Sequence, residues 1–204
     1  MTKVCILDYG SGNVKSVFNL FSTMVDQVQV SNAPADIEAA SHIVLPGVGA
    51  FGAAMRRIHD TLPLDVLERV VRREGKPFLG ICVGMQVLAD VGHEFGETAG
   101  LGWIGGNVRQ LDAGSHPLPH IGWNNIDVVR SSPLLEGLEN AADFYYVHSF
   151  AFDAAEPADV LATTEYGNRF SAAVARDNVY GVQFHPEKSQ RAGMRLVKNF
   201  LALS

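Results

Sequence analysis

The sequence predicts an α/β fold: a mostly parallel central sheet flanked by helices, with additional antiparallel strands in the C-terminal half. Three observations predict it. Strand-like and helix-like segments alternate through the first half. The strand-like segments are continuous apolar runs, as strands buried on both faces are, and not polar/apolar alternations. The second half then turns to β-rich segments separated by turn residues.

The elements follow in order. "KVCILDYG" is a short β-rich run closed by Gly10. "NVKSVFNLFSTM" places Val14, Val17, Phe18 and Phe21 on one helical face. "VQVS" reads as a second strand and "APADIEAA" as a helical turn. "HIVLPGVG" is a strand running into a Pro/Gly turn. Residues 53–75 carry helical periodicity, interrupted at Pro63 and stopped by Gly75. "KPFLGICVG" returns to strand and "MQVLADVG" to helix. The segments "GLGWIGGNVRQL", "HIGWNNIDVV", "DFYYVHSF", "VLATTEYG" and "RFSAAVARDNVYGVQFHPE" supply the later strands, on the same sheet or a neighbouring one. "QRAGMRLVKNFLALS" closes the chain as a helix. No linker is long enough to divide it, so residues 1–204 read as a single domain with a sizeable core.

Composition excludes several classes of partner. Hydrophobic residues are 47%, charged residues 19% and the net charge is −6. No basic cluster exceeds Arg72-Arg73 with Lys76 nearby, which argues against a nucleic-acid surface. No apolar run approaches the roughly 18 residues of a membrane span. The N-terminus lacks the pattern of a signal peptide, so a cytoplasmic location is expected. The two cysteines, Cys5 and Cys82, form no CxxC, and no metal or cofactor site is expected. Cys5, inside a strand-like run, reads as a small buried hydrophobe.

Cys82 differs. Gly80-Ile81-Cys82-Val83-Gly84 has the pattern of a nucleophile elbow with cysteine in place of serine. A nucleophile on a sharp strand-to-helix turn sits in strained backbone, and small neighbours are needed where the chain packs on itself. The N-terminus of the helix expected after it favours a thiolate. The N–H of Val83 lies where an oxyanion would develop. A nucleophilic thiolate also needs a base with an orienting group. In "VYGVQFHPEKS", residues 179–184 read as a strand with His185 at its end, and strand ends of a parallel sheet gather at one edge. Glu187 lies two residues on, across Pro186, so an extended backbone points both side chains the same way. The order Cys, His, Glu departs from the α/β-hydrolase order, in which the acid precedes the histidine.

With "GICVGMQ" (80–86) and "GVQFHPEKS" (181–189), the sequence resembles the class I, triad glutamine amidotransferases. More narrowly, it is similar to the glutaminase subunits of imidazole glycerol phosphate synthases of histidine biosynthesis. That likeness rests also on "LDYGSGNVKSV" (7–17), "LPGVGAFG" (45–52), "GLGWIGGNV" (100–108), "HIGWNNI" (120–126) and "YYVHSF" (145–150). The resemblance implies a flavodoxin-like sheet and a catalytic triad of Cys82, His185 and Glu187. It implies an oxyanion hole from the Val83 N–H and the backbone of Val48 and Gly49, and a glutamine site including Gly47, Gln86, Ser149 and Phe150. Gln86, one helical turn after Cys82, would bind the α-amino or α-carboxylate group of glutamine. His148 carries a structural or a catalytic role, and His93 none that the motifs assign.

The implied partner is a cyclase subunit, a (β/α)₈ barrel that forms a heterodimer with this chain and receives its ammonia. Asn13, Trp123, Tyr145 and Lys188 lie in the motifs expected at the docking face, the two aromatics reading equally as core. Glutaminase activity is expected to be weak without the cyclase and its ligand, because the glycine-bearing segment 47–49 can turn its N–H away from the cleft. A sibling amidotransferase with another acceptor, a cysteine peptidase on the same fold and a catalytically silent subunit are the rival readings.

Overall fold

A computed structural model describes residues 2–138 and 142–204 of the chain. The first half alternates as expected: β1 (Lys3–Ile6), α1 (Val14–Ser22), β2 (Gln27–Val30), α2 (Pro34–Ala39), β3 (His42–Gly47), α3 (Phe51–Thr61) and α4 (Leu64–Leu67). A π-helical stretch, Glu68–Arg73, extends α4 before β4 (Phe78–Cys82) and α5 (Val83–Gln86). Then come short strands β5 (Val91–Gly92) and β6 (Thr98–Ala99), followed by β7 (Gly106–Gln110), β8 (His120–Asn125) and β9 (Asp127–Val128). The chain ends with β10 (Asp143–His148), β11 (Phe150–Ala154), β12 (Val160–Tyr166), β13 (Asn168–Arg176), β14 (Val179–Val182) and α6 (Gln190–Leu201).

Eight strands form the main sheet in the order β2-β1-β3-β4-β14-β13-β12-β9. From β2 to β14 all neighbours are parallel, and β13, β12 and β9 continue the sheet antiparallel. β3 and β4 are buried at every position, whereas β2, at the edge, is not. That difference follows from the sequence: "HIVLPG" and "FLGIC" can be covered on both faces, while "QVQV" cannot. α1 and α6 meet through Phe21 and Phe200, edge to face at 6.3 Å. Each apolar side chain sealed there contributes about 1.5–3 kcal/mol.

The later strands did not all join this sheet. β10 pairs with β8 as a separate antiparallel ribbon, and β11-β7-β5-β6 form a third sheet. Residues 85–92, expected as a helix, are a correction: α5 is one turn, and Val91–Gly92 is a strand. The loop after it takes the carbonyls a longer helix would need. The N–H groups of Leu101, Trp103 and Gly102 bond to the carbonyls of Val87, Leu88 and Ala89. Among the described residues no helix is long and apolar enough to cross a membrane.

Candidate active site

β4 and β14 are parallel neighbours with Ile81 opposite Val182, so both strands deliver their next residues to the same sheet edge. Cys82 is reached first. Its backbone has φ 56° and ψ −111°, a left-handed strained conformation for a residue with a Cβ. The flanking glycines make the turn possible. A Cβ on Gly84 would overlap the carbonyl of Leu45, and one on Gly80 would overlap the carbonyl of Gly84. The elbow expected from the sequence is therefore a physical requirement of close backbone packing. The helix behind it is too short to carry much dipole, so stabilisation of a thiolate falls to neighbouring groups.

One such neighbour is His185, which is fully buried. Its Nδ1 bonds Glu187 Oε1 at 2.7 Å, and both side chains are shut off from solvent. Burial alone would lower the pKa of the ring. Hydrogen bonding and charge from Cys82 and Glu187 outweigh it and raise the ring to about 10. Burial likewise pushes the Glu187 carboxyl up, but the His185 partner and a hydrogen bond from Asn13 hold it below the ordinary carboxylate range. Nε2 of His185 has no well-formed hydrogen bond. Cys82 is near enough to act on the ring.

A cavity of about 350 Å³ opens over the sulfur. Val48, Gly49, Cys82, Val83, Gln86, Glu94, His148, Ser149 and Phe150 line it. Val83 heads α5, so its N–H is a first-turn amide without an intrahelical acceptor. Gln86 is largely spoken for: its Nε2 donates to the Phe150 carbonyl at 2.9 Å and to Gln183 Oε1 at 3.1 Å, which leaves its oxygen for a ligand. His148 donates from Nδ1 to the same Phe150 carbonyl at 2.9 Å and meets His120 through Nε2 at 3.0 Å. Burial, first, and the nearby His120 and His185 lower its pKa to about 3, and both ring nitrogens are already hydrogen-bonded.

Two of the expected site residues sit elsewhere than the motifs suggested. Gly47 does not line the cavity. It lies under the elbow, where an added Cβ would come within 2.5 Å of both the Gly84 nitrogen and the Tyr9 hydroxyl. Asn13 is not on an outer face: it is 6% exposed, and its Nδ2 donates to Glu187 Oε1 at 3.1 Å. Its amide is engaged by the triad carboxylate. The other three residues expected at the docking face do gather at the surface. Trp123 is 50% exposed and packs edge to face on Tyr145, and the Lys188 ammonium lies 5.4 Å from the centre of the Tyr145 ring. His93 is bonded to Asn107 outside the cavity lining.

Sequence reading missed Glu94, Gln183 and Tyr9. Glu94 is the one carboxylate of the cavity lining, and its Oε2 accepts the Phe51 N–H at 2.8 Å at the start of α3. Gln183 is a polar residue inside an otherwise apolar run, a signal that was legible but unused. The Tyr9 hydroxyl is buried without a hydrogen-bond partner; burial first, and the charge of Cys82, push its pKa up.

Residues 5–203 match the family described as glutamine amidotransferase class-I. The imidazole glycerol phosphate synthase subunit HisH of Bdellovibrio bacteriovorus is 47% identical over 199 residues, covering 96% of this chain and 97% of that one. The subunit of the same name from Salinibacter ruber is 47% identical over 204 residues, covering 97% and 93%. A solved glutamine amidotransferase superposes with a TM-score of 0.72 at 20% identity, over 97% of this chain and 96% of that one. The chain therefore belongs to the class I glutamine amidotransferases and, among them, to the HisH subunits of imidazole glycerol phosphate synthase.

Proposed function

We propose that the chain hydrolyses glutamine through Cys82, His185 and Glu187 and passes the ammonia to a cyclase partner, a (β/α)₈ barrel that forms imidazole glycerol phosphate and an aminoimidazole carboxamide ribotide. The observation that carries this is a strained cysteine under a cavity, beside an imidazole whose Nδ1 bonds a buried carboxylate at 2.7 Å. The Cys82 thiolate attacks the side-chain amide carbon, and the oxygen takes the charge. The Val83 N–H and the main chain of Val48 and Gly49 receive it; losing one such donor typically costs about a hundredfold or more in rate. His185 gives its proton to the departing nitrogen, so ammonia leaves and a γ-glutamyl thioester remains. The neutral ring then takes a proton from water, which attacks the thioester and restores the thiolate–imidazolium pair. Glu187 holds the ring in place and offsets its charge, and Asn13 holds Glu187.

Glutamine would enter with its α-ammonium toward Glu94 and the free oxygen of Gln86, and with Ser149 and Phe150 closing the pocket. Trp123, Tyr145 and Lys188 form the face on which the cyclase docks. Sending ammonia directly into a partner keeps it unprotonated, which bulk water would not.

The test measures product formation by the complex with glutamine and with ammonium salts. Cys82→Ala should abolish the glutamine-dependent reaction and leave the ammonia-dependent one within about twofold of wild type, since only the first needs the thiolate. Retained glutamine use by the variant would exclude the thiolate mechanism.

A further inference from the structure

We infer that Gln183 is a second donor to the nucleophile, fixing the rotamer of Cys82 and stabilising its thiolate; this rests on the glutaminase reading above. Gln183 directly follows β14, whose Val182 pairs with Ile81, so it arrives beside Cys82 at the same sheet edge. It is fully buried, and its Nε2 lies 3.6 Å from Cys82 Sγ, within range of an N–H···S hydrogen bond.

The polarity of that bond is forced. The Phe150 carbonyl can only accept. It receives the Nδ1–H of His148 and the Nε2–H of Gln86. Gln86 spends its other Nε2 hydrogen on Gln183 Oε1. With its oxygen so engaged, Gln183 can present only its N–H₂ group to the sulfur. Inverting the amide would set two N–H donors against each other in a buried site, which costs the full desolvation of both. The sulfur therefore faces a donor that cannot become a base, which leaves that role to His185. Since the helix after the elbow is a single turn, this amide supplies negative-charge stabilisation that a longer helix would otherwise give. During turnover the bond is strongest while the sulfur is anionic and weakest in the neutral thioester, which assists release of the acyl group.

Two isosteric substitutions separate this role from scaffolding. Gln183→Met keeps the volume and removes the donor. Gln183→Glu keeps the acceptor for Gln86 and, once ionised, turns charge on the sulfur; burial raises such a carboxyl, so its rates are read as a profile from about pH 6 to about pH 9, falling as the carboxyl ionises. In the complex with the cyclase, both should lower glutamine-dependent kcat by roughly ten- to a hundredfold, the worth of a hydrogen bond to a charged group. KM for glutamine should stay near wild type in Gln183→Glu, which keeps the acceptor for Gln86, and the ammonia-dependent rate should do so in both variants. Alkylation of Cys82 by iodoacetamide, which bypasses glutamine binding, should slow in parallel. Wild-type kcat and alkylation in Gln183→Met would overturn the inference and leave Gln183 as packing alone. Should Gln183→Met fail to fold, Gln183→Leu, which also lacks a donor, decides in its place. If the wild-type complex released no glutamate from glutamine, the glutaminase reading would fall, while alkylation would still report on Gln183.

Discussion

His185 shows how one buried side chain is set by its neighbours. An exposed histidine titrates near pH 6.5, yet here Cys82 and Glu187 overcome burial and raise the ring to about 10. The sign for stability follows from linkage. A proton that the folded chain holds more tightly than the unfolded chain stabilises the fold. That contribution is fully present below about pH 6.5 and fades as pH climbs through the raised value. The urea midpoint of the wild type should therefore fall between about pH 7 and pH 10 by more than that of His185→Gln, followed by tryptophan fluorescence. Parallel curves for the two proteins would show the ring to be neutral at rest. At this scale the sequence was highly legible for the triad, because a thiolate needs a base and the base needs an acid, and "GICVG" and "FHPE" announce all three. It was poorly legible for Asn13 and Gln183. Their amides act on residues 174 and 101 positions away, and no local pattern encodes which buried partner an amide will find.

The elbow is the element on which the site depends. β4 enters it fully buried, α5 leaves after one turn, and β3 passes so close that Gly84 has no room for a methyl group. The obstacle is the Leu45 main chain, part of a parallel strand pinned between β1 and β4, so it cannot step aside cheaply. Gly84→Ala should therefore destabilise the protein by about 1–3 kcal/mol, as overpacking of a rigid site does, and displace Cys82 from His185. Thermal unfolding and iodoacetamide labelling measure the two effects separately. A variant with the wild-type melting temperature and labelling rate would mean the strands part more easily than their burial indicates. Glycine spacing made the turn readable, but the length of α5 was not. "MQVLAD" has helical spacing, yet residues 101–103 fold back onto the carbonyls of residues 87–89 and end the helix early. Tertiary competition for backbone acceptors is invisible to periodicity.

At the scale of the molecule, the β8–β10 ribbon joins an outer surface to the catalytic cavity. Its outer side carries Ile121 and Trp123, 59% and 50% exposed, with Tyr145 and Lys188 packed alongside. Its other end holds His120 and His148, both kept neutral chiefly by burial, and His148 lines the cavity. The same ribbon also grips the triad: the Tyr145 carbonyl accepts the His185 N–H at 2.9 Å, and the Tyr145 N–H bonds to Ser189. Tyr145 therefore links the surface beside Trp123 to the backbone of the imidazole, and a partner seated there would reach the site through it. An aromatic side chain half in water contributes little to the fold of the free chain but much to an interface that buries it. Trp123→Ala should weaken cyclase binding by about ten- to a hundredfold, equivalent to about 1.4–2.8 kcal/mol. The melting temperature of the isolated chain should move by no more than about 2 °C, since surface substitutions stay within about 0.5 kcal/mol. Titration calorimetry with the cyclase and thermal unfolding of the free chain read the two halves of this expectation. If affinity is unchanged, docking lies elsewhere; if stability collapses instead, Trp123 belongs to the core and the ribbon has no outer role. The exposed Ile121 on the same side of the ribbon favours the docking outcome, because the two side chains together offer a partner apolar surface to bury.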